Sequence, residues 1–190
     1  MKSLRILVAD DEAIIRLGLK AMLTQLGHEV LLAVNGREAL ELVRTARPDL
    51  ALLDIHMPLT DGLEAAKVIA RKHPMPILIL TAYSDQAMIE RATQLPIQGY
   101  LVKPVNERDL AAAIGVAVAR FEDAQKLARE KAELQETLEA RKIVERAKGL
   151  LAQQGLSEDE AYQTLQRQAR EQRITLRQAA EAVLAKAGKR

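Results

Sequence analysis

The fold class of this chain can be read from the nonapeptide LALLDIHMP, residues 50–58. Its first four residues are apolar without interruption, which is typical of a short strand buried on both faces of a parallel sheet. An aspartate follows at once, and a proline ends the segment. A buried strand that ends on a carboxylate places that charge at the carboxyl edge of the sheet, where open α/β sheets bind their ligands.

Further apolar runs flank this segment, and amphipathic stretches alternate with them. The runs are 4–9, 30–34, 77–80 and 99–102, and the amphipathic stretches are 12–26, 37–45, 62–72, 85–94 and 107–119. Glycine, asparagine and proline stand at the ends of these elements, where they terminate helices and strands. Five βα units in about 120 residues predict an α/β fold: a doubly wound, five-stranded parallel sheet in residues 1–120, with helices on both faces.

A helical connector is predicted over residues 121–138. Proline is absent after Pro104, and apolar residues recur at spacings of three and four with one lysine among them. These positions are Ala124, Leu127, Lys131, Leu134 and Leu138. About two heptads with one polar core position suffice for a marginal dimer seam or for packing against neighbouring helices. Both interpretations remain open.

The last part of the chain, residues 139–190, predicts a small bundle of three short helices. The first begins near residue 141 and ends at Gly155, a typical C-terminal residue. The second begins after Ser157, which is followed three residues later by a glutamate in the pattern of a capping box. Thr175 is placed to cap the third helix.

Composition narrows the possible functions. The 190 residues include no Cys, which excludes disulfides, thiolate metal sites and a cysteine nucleophile. The three His residues are scattered, which disfavours a zinc site. No apolar run approaches the ~18 residues that span a bilayer, and the first run is too short for a signal peptide. We therefore expect a soluble cytoplasmic protein without a membrane contact.

The charge distribution singles out the C-terminal part of the chain. Residues 1–120 carry 14 basic and 14 acidic side chains, residues 121–140 carry 3 and 6, and residues 141–190 carry 11 and 6. The basic excess in the last segment favours contact with a polyanion there, although a solvated helix surface produces the same pattern.

Three aspartates are expected to meet at the carboxyl edge of the sheet. Asp10 and Asp11 follow the first strand, and Asp54 follows the third. Neighbouring carboxylates repel one another unless a cation neutralises them or a pKa rises, and oxygen ligands without His or Cys favour Mg²⁺. Thr81 and Lys103, which follow the fourth and fifth strands, add a hydroxyl donor and a fixed positive charge. This inventory suits phosphoryl transfer with Asp54 as the acceptor, although any one aspartate taken singly could instead cap a helix.

Five short motifs follow one another along residues 1–120, four of them at these strand ends. They are Asp10-Asp11-Glu12, Asp54-Ile-His-Met-Pro, Asp61-Gly62, Thr81-Ala82 and Lys103-Pro104. Together they resemble the receiver domain of two-component response regulators. The resemblance implies a flavodoxin-like fold, Mg²⁺ as cofactor and phosphorylation of Asp54 by a sensor histidine kinase. It implies a phosphoacceptor that catalyses its own phosphotransfer rather than an enzyme.

The same resemblance implies roles for particular residues. Mg²⁺ would be held by the acidic pair, by Asp54 and by the backbone carbonyl of His56. Thr81 and Lys103 would move onto the phosphoryl oxygens. Tyr100 matches the aromatic switch position, which rotates inward once Thr81 has shifted.

The C-terminal helices carry a second ordered set of motifs. They are Arg141, the run VERAKGLL at 144–151, the run SEDEAY at 157–162 with Leu165, and Leu176 with Ala180. Together they resemble the ANTAR domain, an RNA-binding antitermination module, and they depart from it at Gln166, where Arg is frequent. The resemblance implies contacts to RNA by basic residues of the first two helices. The candidates are Arg141, Arg146, Lys148, Arg167 and Arg170.

The two resemblances together imply one function. Phosphorylation of Asp54 would favour a homodimer or expose the C-terminal module, which then binds hairpins in nascent RNA as a transcription antiterminator. The alternatives are a phosphorylation-gated protein-interaction module and a DNA-binding regulator. Aspartyl-phosphate hydrolases are a further class, but they place two aspartates two residues apart at one strand end, unlike the adjacent pair here.

Overall fold

The computed structural model describes residues 3–82 and 95–187. Its strands are β1 (Arg5–Ala9), β2 (Glu29–Ala33), β3 (Leu50–Asp54), β4 (Ile77–Thr81) and β5 (Gly99–Val102). The helices of the described part are α1 (Ala13–Gln25), α2 (Gly36–Ala46), α3 (Gly62–Lys72), α4 (Glu107–Gln153), α5 (Glu158–Gln172) and α6 (Leu176–Ala187). The helix predicted over residues 85–94 lies outside the described residues. The predicted α/β fold with a five-stranded parallel sheet and a helical C-terminal part is confirmed.

The strand order positions the functional edge of the sheet. The strands follow one another as β2-β1-β3-β4-β5, and every neighbouring pair is parallel. The chain leaves β1 in one direction toward β2 and returns to β3 on the other side of β1. The carboxyl ends of β1 and β3 therefore form the topological switch point, where such folds bind ligands. The register pairs Ala9 with Leu53 and Asp54 with Leu80, so the residues after β1 lie beside the end of β3.

Continuous apolar strands follow from burial on both faces of the sheet. One face places Leu7, Leu53 and Ile79 against α2 and α3. The opposite face places Ile6, Leu52 and Leu78 against α1 and the beginning of α4. Successive residues of a strand point to opposite faces, so a sheet covered twice needs an apolar residue at each position. Each fully buried Leu or Ile contributes about 1.5–3 kcal/mol.

Helix α4 is longer than the sequence suggests. The sequence places helix boundaries near residues 120 and 140, whereas α4 runs without interruption over 47 residues. No proline follows Pro104, and a single glycine inside a helix costs only about 1 kcal/mol, so Gly115 and Gly149 do not end it. The chain divides into two compact units, Met1–Gln125 and Lys126–Arg190, and α4 contributes residues to both.

The second unit is a helical bundle with a small core. The core residues are Ala147, Leu151, Ala161, Leu165 and Ala180. Both predicted N-terminal caps are confirmed: Ser157 and Glu160 form a full capping box, and the hydroxyl of Thr175 accepts from the amide of Gln178 at 3.2 Å. Gly155 has a φ of +97°, as expected at a helix end. Among the helices of residues 3–82 and 95–187, none combines the length and apolar character needed to cross a membrane.

Candidate phosphoacceptor site and nucleic-acid interface

The structure brings three aspartates together at the β1/β3 edge. One carboxylate oxygen from each of Asp10, Asp11 and Asp54 lies within 4.8 Å of the others. Asp10 is fully buried, Asp54 is 5% exposed and Asp11 is exposed to solvent. Of the three, Asp11 is therefore the carboxylate that solvent reaches most freely.

Lys103 joins two of these carboxylates. Its Nζ atom lies 2.8 Å from Asp10 Oδ2 and 2.7 Å from Asp54 Oδ1. Burial by itself lowers the pKa of Lys103, but its hydrogen bonds to Asp10 and Asp54 outweigh burial and leave that pKa raised. The ammonium group is therefore charged at neutral pH. Lys103 thus supplies one positive charge to a cluster of three carboxyl groups.

Asp54 is held in an environment that disfavours its charge. Burial is the largest cause that raises the pKa of its carboxyl group, and the neighbouring charges of Asp10 and Asp11 raise it further. The ammonium of Lys103 opposes them but does not reverse the direction. A cation placed among the three carboxylates would shift this balance toward the ionised, nucleophilic form of Asp54.

Backbone contacts fix the position of Asp10. Its Oδ1 accepts a hydrogen bond from the amide of Glu12 at 2.8 Å, and its carbonyl oxygen accepts one from Arg16 Nη1 at 2.7 Å. Arg16 was not singled out by the sequence, where its only signal is its place in the first turns of the helix that follows the acidic pair. It positions Asp10 without touching the carboxylate cluster.

Gly62 packs directly on the backbone of Asp54. Its amide donates to the carbonyl of Ile55 at 3.0 Å, while the side chain of Asp61 caps α3 by accepting from the amide of Glu64 at 2.7 Å. A Cβ atom at position 62 would overlap the Asp54 carbonyl oxygen and lie 2.8 Å from its carbonyl carbon. Only glycine lets the N-terminus of α3 approach this closely. The sequence showed the Asp-Gly pair as part of a motif but not this contact.

The other predicted receiver residues occupy different surroundings. Thr81 is buried at the end of β4, and its hydroxyl donates to the carbonyl of Ala82 at 3.1 Å. The amide of Lys103 donates to the Thr81 carbonyl at 2.9 Å, so these two residues end adjacent strands. Tyr100 in β5 is 53% exposed, and the side chain of His56 is exposed in the loop after β3.

The five predicted RNA-binding residues lie on two helices. Arg141, Arg146 and Lys148 belong to α4, and Arg167 and Arg170 belong to α5. Lys148 is only 16% exposed, and its Nζ atom contacts both carboxylate oxygens of Glu145 at 3.1 and 3.2 Å. The four arginines form no ion pair with any residue that the structure describes. Their charge is therefore available to a polyanion, whereas that of Lys148 is already partly neutralised.

A groove in the second unit brings Arg141 next to two residues that were not assigned to RNA binding. Tyr162 of α5 and Arg177 of α6 line it together with Arg141, and its volume is about 320 Å³. Tyr162 is 39% exposed. From the sequence, all that distinguishes Tyr162 is that it is the single aromatic residue of residues 139–190. The helical spacing does not predict that it lies near two arginines.

Comparison with known proteins accounts for both units. The response regulator receiver domain family matches residues 6–115, and the ANTAR domain family matches residues 132–184. The chain is an ANTAR-type response regulator. It is 46% identical over 182 residues to the transcriptional regulatory protein PdtaR of Mycobacterium tuberculosis (strain ATCC 25618 / H37Rv), covering 95% of this chain and 89% of that protein. Both resemblances inferred from the sequence are therefore confirmed.

More distant relatives match the receiver part of this response regulator. The transcriptional regulatory protein AfsQ1 of Streptomyces coelicolor is 39% identical over 117 residues, which cover 62% of this chain and 52% of that protein. A solved receiver domain from Clostridium thermocellum superposes with a TM-score of 0.58 at 33% identity, covering 62% of this chain and 96% of that one. The chemotaxis response regulator CheY4 of Vibrio cholerae gives a TM-score of 0.57 at 30% identity, covering 61% and 99%.

The acidic cluster of this response regulator has the donors that Mg²⁺ prefers. Receiver domains bind Mg²⁺ in an acidic pocket, and here Asp10, Asp11 and Asp54 offer only hard oxygen ligands. The residues therefore fit the metal that the family implies. The family is one of regulators, not of enzymes in the classical sense.

Proposed function

We propose that this response regulator accepts a phosphoryl group on Asp54 from a sensor histidine kinase and then acts as a transcription antiterminator in the cytoplasm by binding hairpins in nascent RNA. The observation that carries the proposal is the contact of Asp54 with Lys103 at 2.7 Å inside a cluster of three carboxylates. We further propose that the chain is divided into a receiver domain (1–120), a connector (121–138) and an ANTAR domain (139–190).

The chemistry follows from the position of Asp54. A carboxylate oxygen of Asp54 attacks the phosphorus atom of the phosphohistidine, the new P–O bond forms as the P–N bond breaks, and the imidazole leaves with the electron pair. Mg²⁺ would be held by the three aspartates and the backbone carbonyl of His56, and it would supply positive charge beside the carboxylate and phosphoryl oxygens. Lys103 moves from the Asp54 carboxylate to a phosphoryl oxygen while its contact to Asp10 keeps it oriented.

A switch follows the arrival of the phosphoryl group. Among the described residues, the hydroxyl of Thr81 donates to the adjacent carbonyl of Ala82, and it would turn from there toward a phosphoryl oxygen. The ring of Tyr100, which is exposed on the neighbouring strand, then turns inward. This change in surface is the two-state element that links phosphorylation to the rest of the chain.

The kinase and a second copy of the chain have candidate contact surfaces. Ile14 and Leu17 are strongly exposed on α1, the helix that begins just after the acidic pair. A protein that reaches Asp54 can bury them. Leu127, Leu134 and Leu138 are likewise exposed on α4 at the spacing of a coiled-coil seam, which supports a homodimer on phosphorylation. Measurement of the molecular mass in solution with and without beryllofluoride, an analogue of the phosphoryl group, tests this step.

The acceptor assignment is tested with acetyl phosphate. The wild-type protein should gain one phosphoryl group in the presence of Mg²⁺, and the Asp54→Asn variant should gain none while keeping its circular dichroism spectrum. If Asp54→Asn is labelled at the wild-type rate, Asp54 is not the acceptor.

The RNA assignment is tested with a pool of RNAs that carry tandem hairpins with fixed stems and randomised loops. The beryllofluoride-loaded protein should select hairpins, and its affinity should fall steeply with salt because arginines release counterions from phosphates. Removing one contacting arginine should reduce the salt slope by about one. Equal affinity for duplex DNA would support a DNA-binding regulator, and no affinity for either nucleic acid would support a protein-interaction module.

A further inference from the structure

The groove lined by Arg141, Tyr162 and Arg177 has the chemistry of a base-binding site. We call it the Tyr162 groove. It is formed entirely within the second unit by α4, α5 and α6, and Val144 and Leu176 supply apolar surface. Its volume of about 320 Å³ lies at the lower end of the range for small-ligand pockets.

The ring of Tyr162 is not part of the core of its unit. The preceding residue, Ala161, and Leu165 one turn later are fully buried and hold α5 on the bundle. Tyr162 is 39% exposed, and its hydroxyl has no hydrogen-bond partner in the part of the chain that the structure describes. The exposed part of this side chain is therefore available to a ligand.

Among the charged residues that line the groove, Arg141 differs from the others in its partners. Arg177 is held by Glu181, whose carboxylate lies 2.8 Å from its Nε atom. The carboxylate of Glu145, which also lines the groove, is held by Lys148. Arg141 has no ion pair with any described residue, so its guanidinium can serve a ligand.

We propose that the Tyr162 groove receives one unpaired base of an RNA hairpin loop, stacked on the ring of Tyr162, with Arg141 donating hydrogen bonds to the edge of that base. The proposal rests on the proposed RNA-binding function and adds a subsite to it. Single-stranded loops present unstacked bases that aromatic rings and arginines recognise, whereas a duplex keeps its bases stacked. Stacking on tyrosine contributes affinity without charge, in contrast to the phosphate contacts of the other arginines.

The experiment uses the full-length, beryllofluoride-loaded protein and the hairpin RNA selected from the randomised pool. Tyr162→Leu should weaken binding roughly 5- to 100-fold and leave the salt slope unchanged, because a neutral ring is removed. Tyr162→Phe, which keeps the ring, should bind within about twofold of wild type. Arg173→Gln, a cation outside the groove, is the matched control and should not change the dependence on any loop base. Circular dichroism verifies that each variant is folded.

Abasic substitutions in the RNA loop locate the base. At one loop position, removal of the base should weaken binding to the wild-type protein by the same factor as Tyr162→Leu weakens binding to the unmodified RNA. The two changes combined should cost no more than either alone, since they remove the same contact. This comparison also includes the wild-type protein with each abasic RNA, so it does not depend on the variant alone.

Two failures can be told apart. If the wild-type protein binds a hairpin but Tyr162→Leu binds equally well, or if its loss adds in full to that of every abasic position, the Tyr162 groove is not a base site and the RNA-binding function stands. If the wild-type protein selects no hairpin, the proposed function itself is refuted and the base site with it.

Discussion

The contact between Gly62 and the backbone of Asp54 gives the sharpest prediction. In Gly62→Ala the added Cβ lies 2.8 Å from the Asp54 carbonyl carbon and 3.3 Å from Ile55 Cα, and the Asp54 carbonyl oxygen is closer still. These neighbours are backbone atoms, which cannot turn aside as a side chain can. Either the N-terminus of α3 or the end of β3 must move by roughly 1 Å to restore van der Waals contact.

This displacement has two measurable costs. Overpacking of this kind destabilises a fold by about 1–3 kcal/mol, which lowers the melting temperature of a domain this size by roughly 3–10 °C. A misplacement of about 1 Å at a reacting group also slows its chemistry about 100-fold. Gly62→Ala should therefore take up phosphate far more slowly than wild type even at temperatures where it is fully folded.

The assay is the initial rate of labelling from acetyl phosphate with Mg²⁺, well below the melting temperature of each protein. The matched control is Gly18→Ala in α1, where an added Cβ meets no atom within 4 Å. It should label at the wild-type rate and gain about 0.5–1 kcal/mol from its higher helix propensity. If Gly62→Ala labels within threefold of wild type, the close approach of α3 to Asp54 does not position the acceptor.

Three further predictions concern stability. Burial is the main cause of the raised pKa of Asp54, so ionisation of this group lowers the stability of the fold as pH rises above the ordinary carboxyl range. Asp54→Asn should therefore melt several degrees higher than wild type at pH 7 without Mg²⁺. This difference in melting temperature should disappear in acid. Burial lowers the pKa of His28, whose Nδ1 accepts a hydrogen bond from the amide of Leu4 at 3.2 Å. The contribution of His28 to the free energy of unfolding is therefore complete above pH 6.5. It is lost as pH falls, by at most about 1.4 kcal/mol per pH unit. His28→Asn should flatten that part of the stability profile measured by urea unfolding, and an unchanged profile would exclude His28 as its source. Ser157→Ala removes the cap of α5 and should cost about 1 kcal/mol in thermal unfolding, whereas a loss near zero would show that the capping box is not formed in solution.

The sheet and its acidic cluster were predictable because their physics is local. A strand buried on both faces must be apolar throughout, as in residues 50–53, so the carboxylate of Asp54 marks the strand end. Parallel strands with helical crossovers then bring Asp10 and Asp54 to one edge without further information. Capping of α5 by Ser157 and of α6 by Thr175 was predictable for the same reason, since the donor and acceptor lie within one helical turn.

Other features depend on contacts between distant residues or on the absence of a break. Where no proline separates two helical stretches, the sequence pattern is the same for two helices as for one continuous helix. The continuity of α4 was therefore not predicted. The pairing of Lys148 with Glu145 has the same spacing as many exposed pairs that do not form. The place of Tyr162 beside Arg141 and Arg177 depends on how three helices pack, which their periodicity does not specify.

The central claim is that a phosphoryl group on Asp54 controls RNA binding by the second unit. The most direct measurement is the affinity of full-length wild type and Asp54→Asn for the selected hairpin RNA, each with and without beryllofluoride and Mg²⁺. The account predicts that beryllofluoride tightens binding by wild type by roughly 5- to 150-fold, the usual range of coupling between two sites, and leaves Asp54→Asn unchanged. Equal affinity of the loaded and unloaded wild type, or an equal response of Asp54→Asn, would contradict it.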